Sequence, residues 1–149
     1  MTSLSTPVQA TTMGHPAYSQ TFPCEASTAE IGRTVVRDIL AIWHLDILAD
    51  RAALVVTELI ANATRHTSSR EIRLIVRRPS AKRVRVAVVD RTPSRLPALS
   101  QADDEDEAGR GLFLIDAVAD RWGYDLHGSG TRPWGKEVWA ELHLSKGDE

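Results

Sequence analysis

The stretch EIRLIVRRPSAKRVRVAVVD, residues 71 to 90, carries the reading on which the fold rests. From Glu71 to Arg77 the apolar residues Ile72, Leu74 and Val76 alternate with other side chains, and from Arg83 to Asp90 the residues Val84, Val86 and Val88 do the same. A period of two is that of a strand with one side against a core. Pro79, Ser80, Ala81 and Lys82 supply the connection, so the two strands form a hairpin.

Toward the N-terminus the period changes to that of helices. Asp46 to about His66 carries Ala52, Val55, Val56, Leu59, Ile60 and Ala63 at helical spacing. Before it, Ser27-Thr28-Ala29-Glu30 reads as a capping box ahead of Ile31, Val35, Ile39 and Ile42, in a helix that runs to about Trp43. Ala17 to Phe22 predicts a short edge strand ended by Pro23. Toward the C-terminus, the segment between Arg91 and Arg110 holds prolines, serines and the acidic run DDEDE at 103 to 107, which predicts a long mobile loop. A third helix is expected from about Gly111, with Leu112, Ile115 and Ala119 on its apolar face. Two strands, about Trp122 to Leu126 and Lys136 to Leu144, follow.

Helices first, then strands, then one helix and further strands argue for an α+β fold. The expected architecture is a two-layer α/β sandwich, its sheet mainly antiparallel, with helices on one face. Alternation puts Arg73, Arg77, Arg85, Glu141 and His143 on the other face around Trp139.

A chain of 149 residues fits one domain, here residues 17 to 146, with residues 1 to 16 expected as a disordered leader. With 42% hydrophobic and 26% charged residues and a net charge of −2, the composition is that of a globular protein and gives no case for direct nucleic-acid binding. Cys24 is the single cysteine, which excludes an internal disulfide, and no apolar run approaches a signal peptide or a membrane span. A cytoplasmic location is expected.

Several polar residues do not fit a plain core. Glu58, Asn62, Arg65 and His66 are three or four positions apart on the second helix and share one face. That face is either solvated or chemical; in the second case Asn62 offers a neutral oxygen to a magnesium ion and Glu58, one turn away, acts as a base. The alternation of its strand aims the Asp90 carboxylate into the apolar layer, where it needs donors. These are backbone N–H groups at the strand end or an amino group on a flat ligand. Gly109-Arg110-Gly111 before a helix is a tight turn or a phosphate seat. The five histidines show no zinc-ligand spacing with one another or with Cys24.

In this order, ELIANATRHT (58 to 67), VVDRTP (88 to 93), GRGLFLIDAVADRWGY (109 to 124) and GKEVWAEL (135 to 142) resemble the GHKL ATPase superfamily. The match is closest to its small actinobacterial-type branch of anti-sigma-factor serine/threonine kinases. The resemblance implies the Bergerat fold, with ATP and Mg2+ held between sheet and helices under a lid, here about Thr92 to Arg110. It also implies that Asn62 coordinates magnesium, Glu58 is the catalytic base and Asp90 recognises the adenine amino group. Gly109, Arg110, Gly111 and Leu112 frame the phosphates, and Arg65 and Lys136 complete the nucleotide-binding set. Lys136, with Arg95 and Arg110, is a cation at hand to offset the acidic lid. Glu137 stands about where the superfamily often has a threonine near the adenine-binding Asp, which would set a second carboxylate close to Asp90.

The implied reaction is transfer of the ATP γ-phosphate to a serine or threonine hydroxyl of an anti-anti-sigma (STAS-type) partner. The implied control is partner switching on a sigma factor, and a homodimer is compatible with it. The alternative is a non-catalytic partner-binding module with a degenerate nucleotide site.

Overall fold

The computed structural model describes residues 9–10, 16–66, 69–94 and 107–145. Along the chain it has strands β1 (Gln9–Ala10) and β2 (Pro16–Pro23), helix α1 (Thr28–Ile42), a 3-10 turn at Asp46–Leu48 and helix α2 (Ala49–His66). Strands β3 (Glu71–Ser80) and β4 (Arg83–Asp90), helix α3 (Glu107–Val118) and strands β5 (Arg121–Ser129) and β6 (Arg132–His143) follow. The strands form one sheet in the order β1-β2-β3-β4-β6-β5, and each of these pairs is antiparallel. The α+β sandwich read from the sequence is the fold.

The core lies between this sheet and the helices. Ile72, Leu74 and Val76 of β3, Val84, Val86 and Val88 of β4, and Val138, Ala140 and Leu142 of β6 pack with residues of α1, α2 and α3 in one buried cluster. At roughly 25 cal/mol per Å² of apolar surface removed from water, these apolar side chains are the main force holding the two layers together. The hairpin turn is tighter than predicted, because Ser80 pairs with Arg83 and only Ala81 and Lys82 lie between them.

Three local expectations are corrected. The buried stripe of α1 is Gly32, Val35, Val36, Ile39 and Leu40, while Ile31 and Ile42 are 45% and 59% exposed. The stripe turns on Gly32, where a Cβ would lie 2.7 Å from Ile60 Cδ1, so the absence of a side chain lets α1 close on α2. Ser27 sits at the α1 N-cap without making the cap bond; its hydroxyl donates to Glu25, and Thr28 donates to the Pro23 carbonyl at 2.6 Å instead. Of the segment expected as a leader, Gln9 and Ala10 pair with Ala17 and Pro16 at the sheet edge, and residues 1–8 and 11–15 lie outside the described residues.

The turn from α1 to α2 fixes where α2 starts. His44 adopts φ 59°, and the N–H groups of His44 and Leu45 donate to Ala41 and Leu40, a Schellman closure made without glycine. Leu45 and Leu48 are then buried, which pins the start of α2 against the core.

Candidate functional site

Asp90 ends β4 on the helix-covered face and is 3% exposed, as the alternation predicts. Its donors are a lysine and a backbone amide. Lys136 Nζ lies 2.9 Å from each carboxylate oxygen and donates a further bond of 2.8 Å to the Thr92 carbonyl. The Thr92 N–H donates to Asp90 Oδ1 at 2.8 Å. Lys136 is 4% exposed, an unusual depth for a lysine and one tolerated here because the charge is paired.

Register explains the pairing. Asp90 stands directly opposite Lys136 across β4 and β6, so the two side chains rise from the same side of the sheet. Gly135 brings the strands together at this point, since a Cβ there would collide with the Asp90 carbonyl oxygen. Lys136 was expected as a cation to offset the acidic lid; its ammonium is held by Asp90 and Thr92. The second carboxylate expected near Asp90 is not there. Glu137 faces Val89 in register and projects to the opposite side of the sheet, where it meets Arg77 at 2.9 Å and His127 at 3.1 Å. The parity that places Glu141 and His143 on that side holds for Glu137 too, and a count along β6 finds it.

Glu58 and Asn62 lie one turn apart on α2, both half-buried. The Asn62 Oδ1 atom is itself fully buried and has no hydrogen-bond partner among the described residues. A buried acceptor left in this state is uncommon and calls for a donor or a cation. Glu58 has no hydrogen bond or ion pair among the described residues, so its carboxylate is available. Arg65, one turn on from Asn62, is exposed.

The glycines lie within a helix rather than ahead of one. α3 begins at Glu107, so Gly109 and Arg110 fall in its first turn and Gly111 just after it. An acidic residue is favoured at a helix start by the dipole, which the sequence reading passed over in favour of the glycines. The N–H groups of a first helical turn, here including those of Gly109 and Arg110, have no partner inside the helix, a property that favours an anion in general. Leu112, 4% exposed, belongs to the core and anchors this end of α3. Arg95 and most of the lid, residues 95–106 with the start of the acidic run, lie outside the described residues.

The donor set suits a magnesium nucleotide. Magnesium takes few protein oxygens and keeps water and phosphate oxygens in its shell, and one orphaned amide oxygen beside an available carboxylate matches that habit. Among the described residues no helix is long and apolar enough to cross a membrane. In comparison with known proteins, the family model of the histidine kinase-like ATPase domain matches residues 22–140. No curated protein matches the chain.

Proposed function

From the premise that this chain belongs to the histidine kinase-like ATPase domain family, of the GHKL type, we propose that it is a Mg-ATP-dependent protein serine/threonine kinase. Its substrate in this reading is an anti-anti-sigma (STAS-type) antagonist, and its second partner is a sigma factor that it controls by partner switching. The observation that carries the reading is the Asn62 Oδ1 atom, buried without a partner among the described residues, one turn from Glu58, which has none among them either, on the helix that packs over the strand ending in Asp90.

In this reading Asn62 holds the magnesium ion, which screens the phosphate charges when ATP is bound. The free N–H groups of the first turn of α3 receive phosphate oxygens, and Asp90 accepts from the base. Glu58 takes the proton of the attacking hydroxyl as its oxygen bonds to the γ-phosphorus and the bond from that phosphorus to the β,γ-bridging oxygen breaks to release ADP, while positioning supplies most of the rate. Phosphorylating the antagonist adds negative charge to its binding surface and so releases it.

Purified protein should be stabilised thermally by ATP only when magnesium is present, because a ligand that binds the folded state alone raises its stability. Asn62→Ala should abolish that stabilisation. Glu58→Ala should keep it and lower phosphoryl transfer by about 10²- to 10⁴-fold, the usual worth of a general base. Undiminished transfer by Glu58→Ala would remove Glu58 from the mechanism.

One observation favours a second reading, a partner-binding module without turnover: the Asp90 carboxylate is already engaged by Lys136. Lack of thermal stabilisation at millimolar ATP and magnesium would select it.

A further inference from the structure

We propose that Lys136 is a base-reading residue, and that the Asp90–Lys136 pair makes the nucleotide site accept purines with a 6-oxo group alongside the 6-amino group of adenine. The proposal rests on the nucleotide-binding reading above and adds a specificity to it.

A carboxylate has about four acceptor positions. Lys136 donates to Oδ1 of Asp90 at 2.9 Å and lies equally close to Oδ2 in the ion pair, and the Thr92 N–H also donates to Oδ1, at 2.8 Å. Oδ2, which accepts no hydrogen bond among the described residues, is left for a base. An adenine amino group, a donor, must therefore share Asp90 with an ammonium that is also a donor. A lone carboxylate would welcome the 6-amino group and repel a 6-oxo oxygen; the buried pair presents an acceptor and a donor side by side. The edge of a 6-oxo purine carries an acceptor where adenine carries a donor, so its oxygen finds a partner in Lys136.

That exchange requires little rearrangement. The other hydrogen bond of Lys136 goes to the carbonyl of Thr92, a half-exposed residue whose oxygen can turn to water when a base oxygen replaces it. The pair cannot drift apart, because Asp90 and Lys136 are register partners and Gly135 holds the backbones in close contact beside them. Glu137, on the other face of the sheet, does not restore the missing acceptor.

The test is calorimetric titration of the full chain, with magnesium, using ATP, ITP and the triphosphate of the unsubstituted purine riboside. The expected result is that ATP and ITP bind within about tenfold of one another and that the unsubstituted purine, lacking either partner, binds more weakly than both. In Lys136→Met the ratio should shift toward ATP by about tenfold or more, since the oxygen then faces a bare carboxylate. A wider wild-type preference for ATP, or a ratio that Lys136→Met leaves unchanged, overturns the proposal. The wild-type comparison stands even if the variant fails to fold. Binding of none of the three overturns the nucleotide reading and this proposal with it, whereas tight binding with the wrong ratio overturns the proposal alone.

Discussion

The two faces of the sheet both bury carboxylates and neutralise them in contrasting ways. On the helix-covered face Asp90 meets a single ammonium, Lys136, at the end of the strand that carries the valine row of β4. On the free face Glu141 is as deeply buried, at 2% exposure, yet it has several partners: the guanidinium of Arg85 and the imidazole of His143 at 2.8 Å, Arg121 at 3.8 Å and Arg83 at 4.0 Å. Two of those arginines also lie over the Trp139 ring, Arg85 at 4.0 Å and Arg121 at 5.7 Å from its centroid. Among the described residues the inner pair has no spare cation, while the outer cluster is redundant and roofed by groups that reach solvent. Loss of one partner should therefore be severe inside and mild outside.

The largest expected effect breaks the inner pair. Lys136→Met should lower stability by about 3–5 kcal/mol in urea denaturation, because it leaves a buried carboxylate without a counter-charge. Replacing both partners, Asp90→Leu with Lys136→Met, should recover most of that loss, since matched apolar groups need no compensation. A single variant no less stable than wild type would mean that the pair is not held as charges. Gly135→Ala comes next: its methyl group would press on the Asp90 carbonyl, and overpacking of this kind costs about 1–3 kcal/mol. The variant should also weaken nucleotide binding, since the strand end that carries Asp90 must shift.

The inner face was legible in the sequence wherever a period of two or 3.6 runs unbroken. Ile72 to Val76, Val84 to Val88 and Ala52 to Ala63 gave the sheet, the covered face and α2, because burial of one side leaves its period in the residue order. Asp90 was legible for the same reason. Lys136 at Asp90 was not, because the contact depends on cross-strand register between segments 46 positions apart, and a strand's own alternation gives a side but no opposite number. Glu137 was assigned by family position rather than parity and so went to the wrong side. In α1 the apolar residues surround more than one stripe, and only packing on α2 at Gly32 chooses which is buried.

Titration separates the two faces by the sign of their pH dependence. Burial pushes the Tyr18 phenol, on the helix-covered side, up from 10.0 to about 12. The folded state thus favours the neutral phenol; that contribution is complete below pH 10.0 and is lost as the pH rises toward about 12. Glu141 on the free face has the opposite sign. Burial alone would raise its carboxyl, but the bonds from His143 and Arg85 and the charges of Arg85 and Arg121 outweigh it and hold the carboxyl below 4.5. Its contribution is present above pH 4.5 and lost as the pH falls through the lowered folded value. Denaturation midpoints against pH should show Tyr18→Phe flattening the alkaline limb and Glu141→Gln the acid limb. Unchanged limbs would mean that neither acid is linked to folding in this way.

The smallest effect is the sharpest check on redundancy. Arg121 approaches Glu141 at 3.8 Å with its side chain 58% exposed, whereas Arg85 makes two bonds to it with its side chain 25% exposed. Arg121→Ala should cost only about 0.2–1 kcal/mol, as for other solvent-reached ion pairs, because Arg85 and His143 remain on the carboxylate. Arg85→Ala should cost more, since it removes both the strongest bonds and the closest cover of Trp139. If Arg121→Ala proved as damaging as Lys136→Met, the cations around Glu141 would be acting as one unit, and the contrast between a redundant outer cluster and a solitary inner pair would fail. If instead Arg85→Ala combined with Arg121→Ala lost no more than Arg85→Ala alone, Arg121 would be a bystander whose charge water screens before it reaches Glu141.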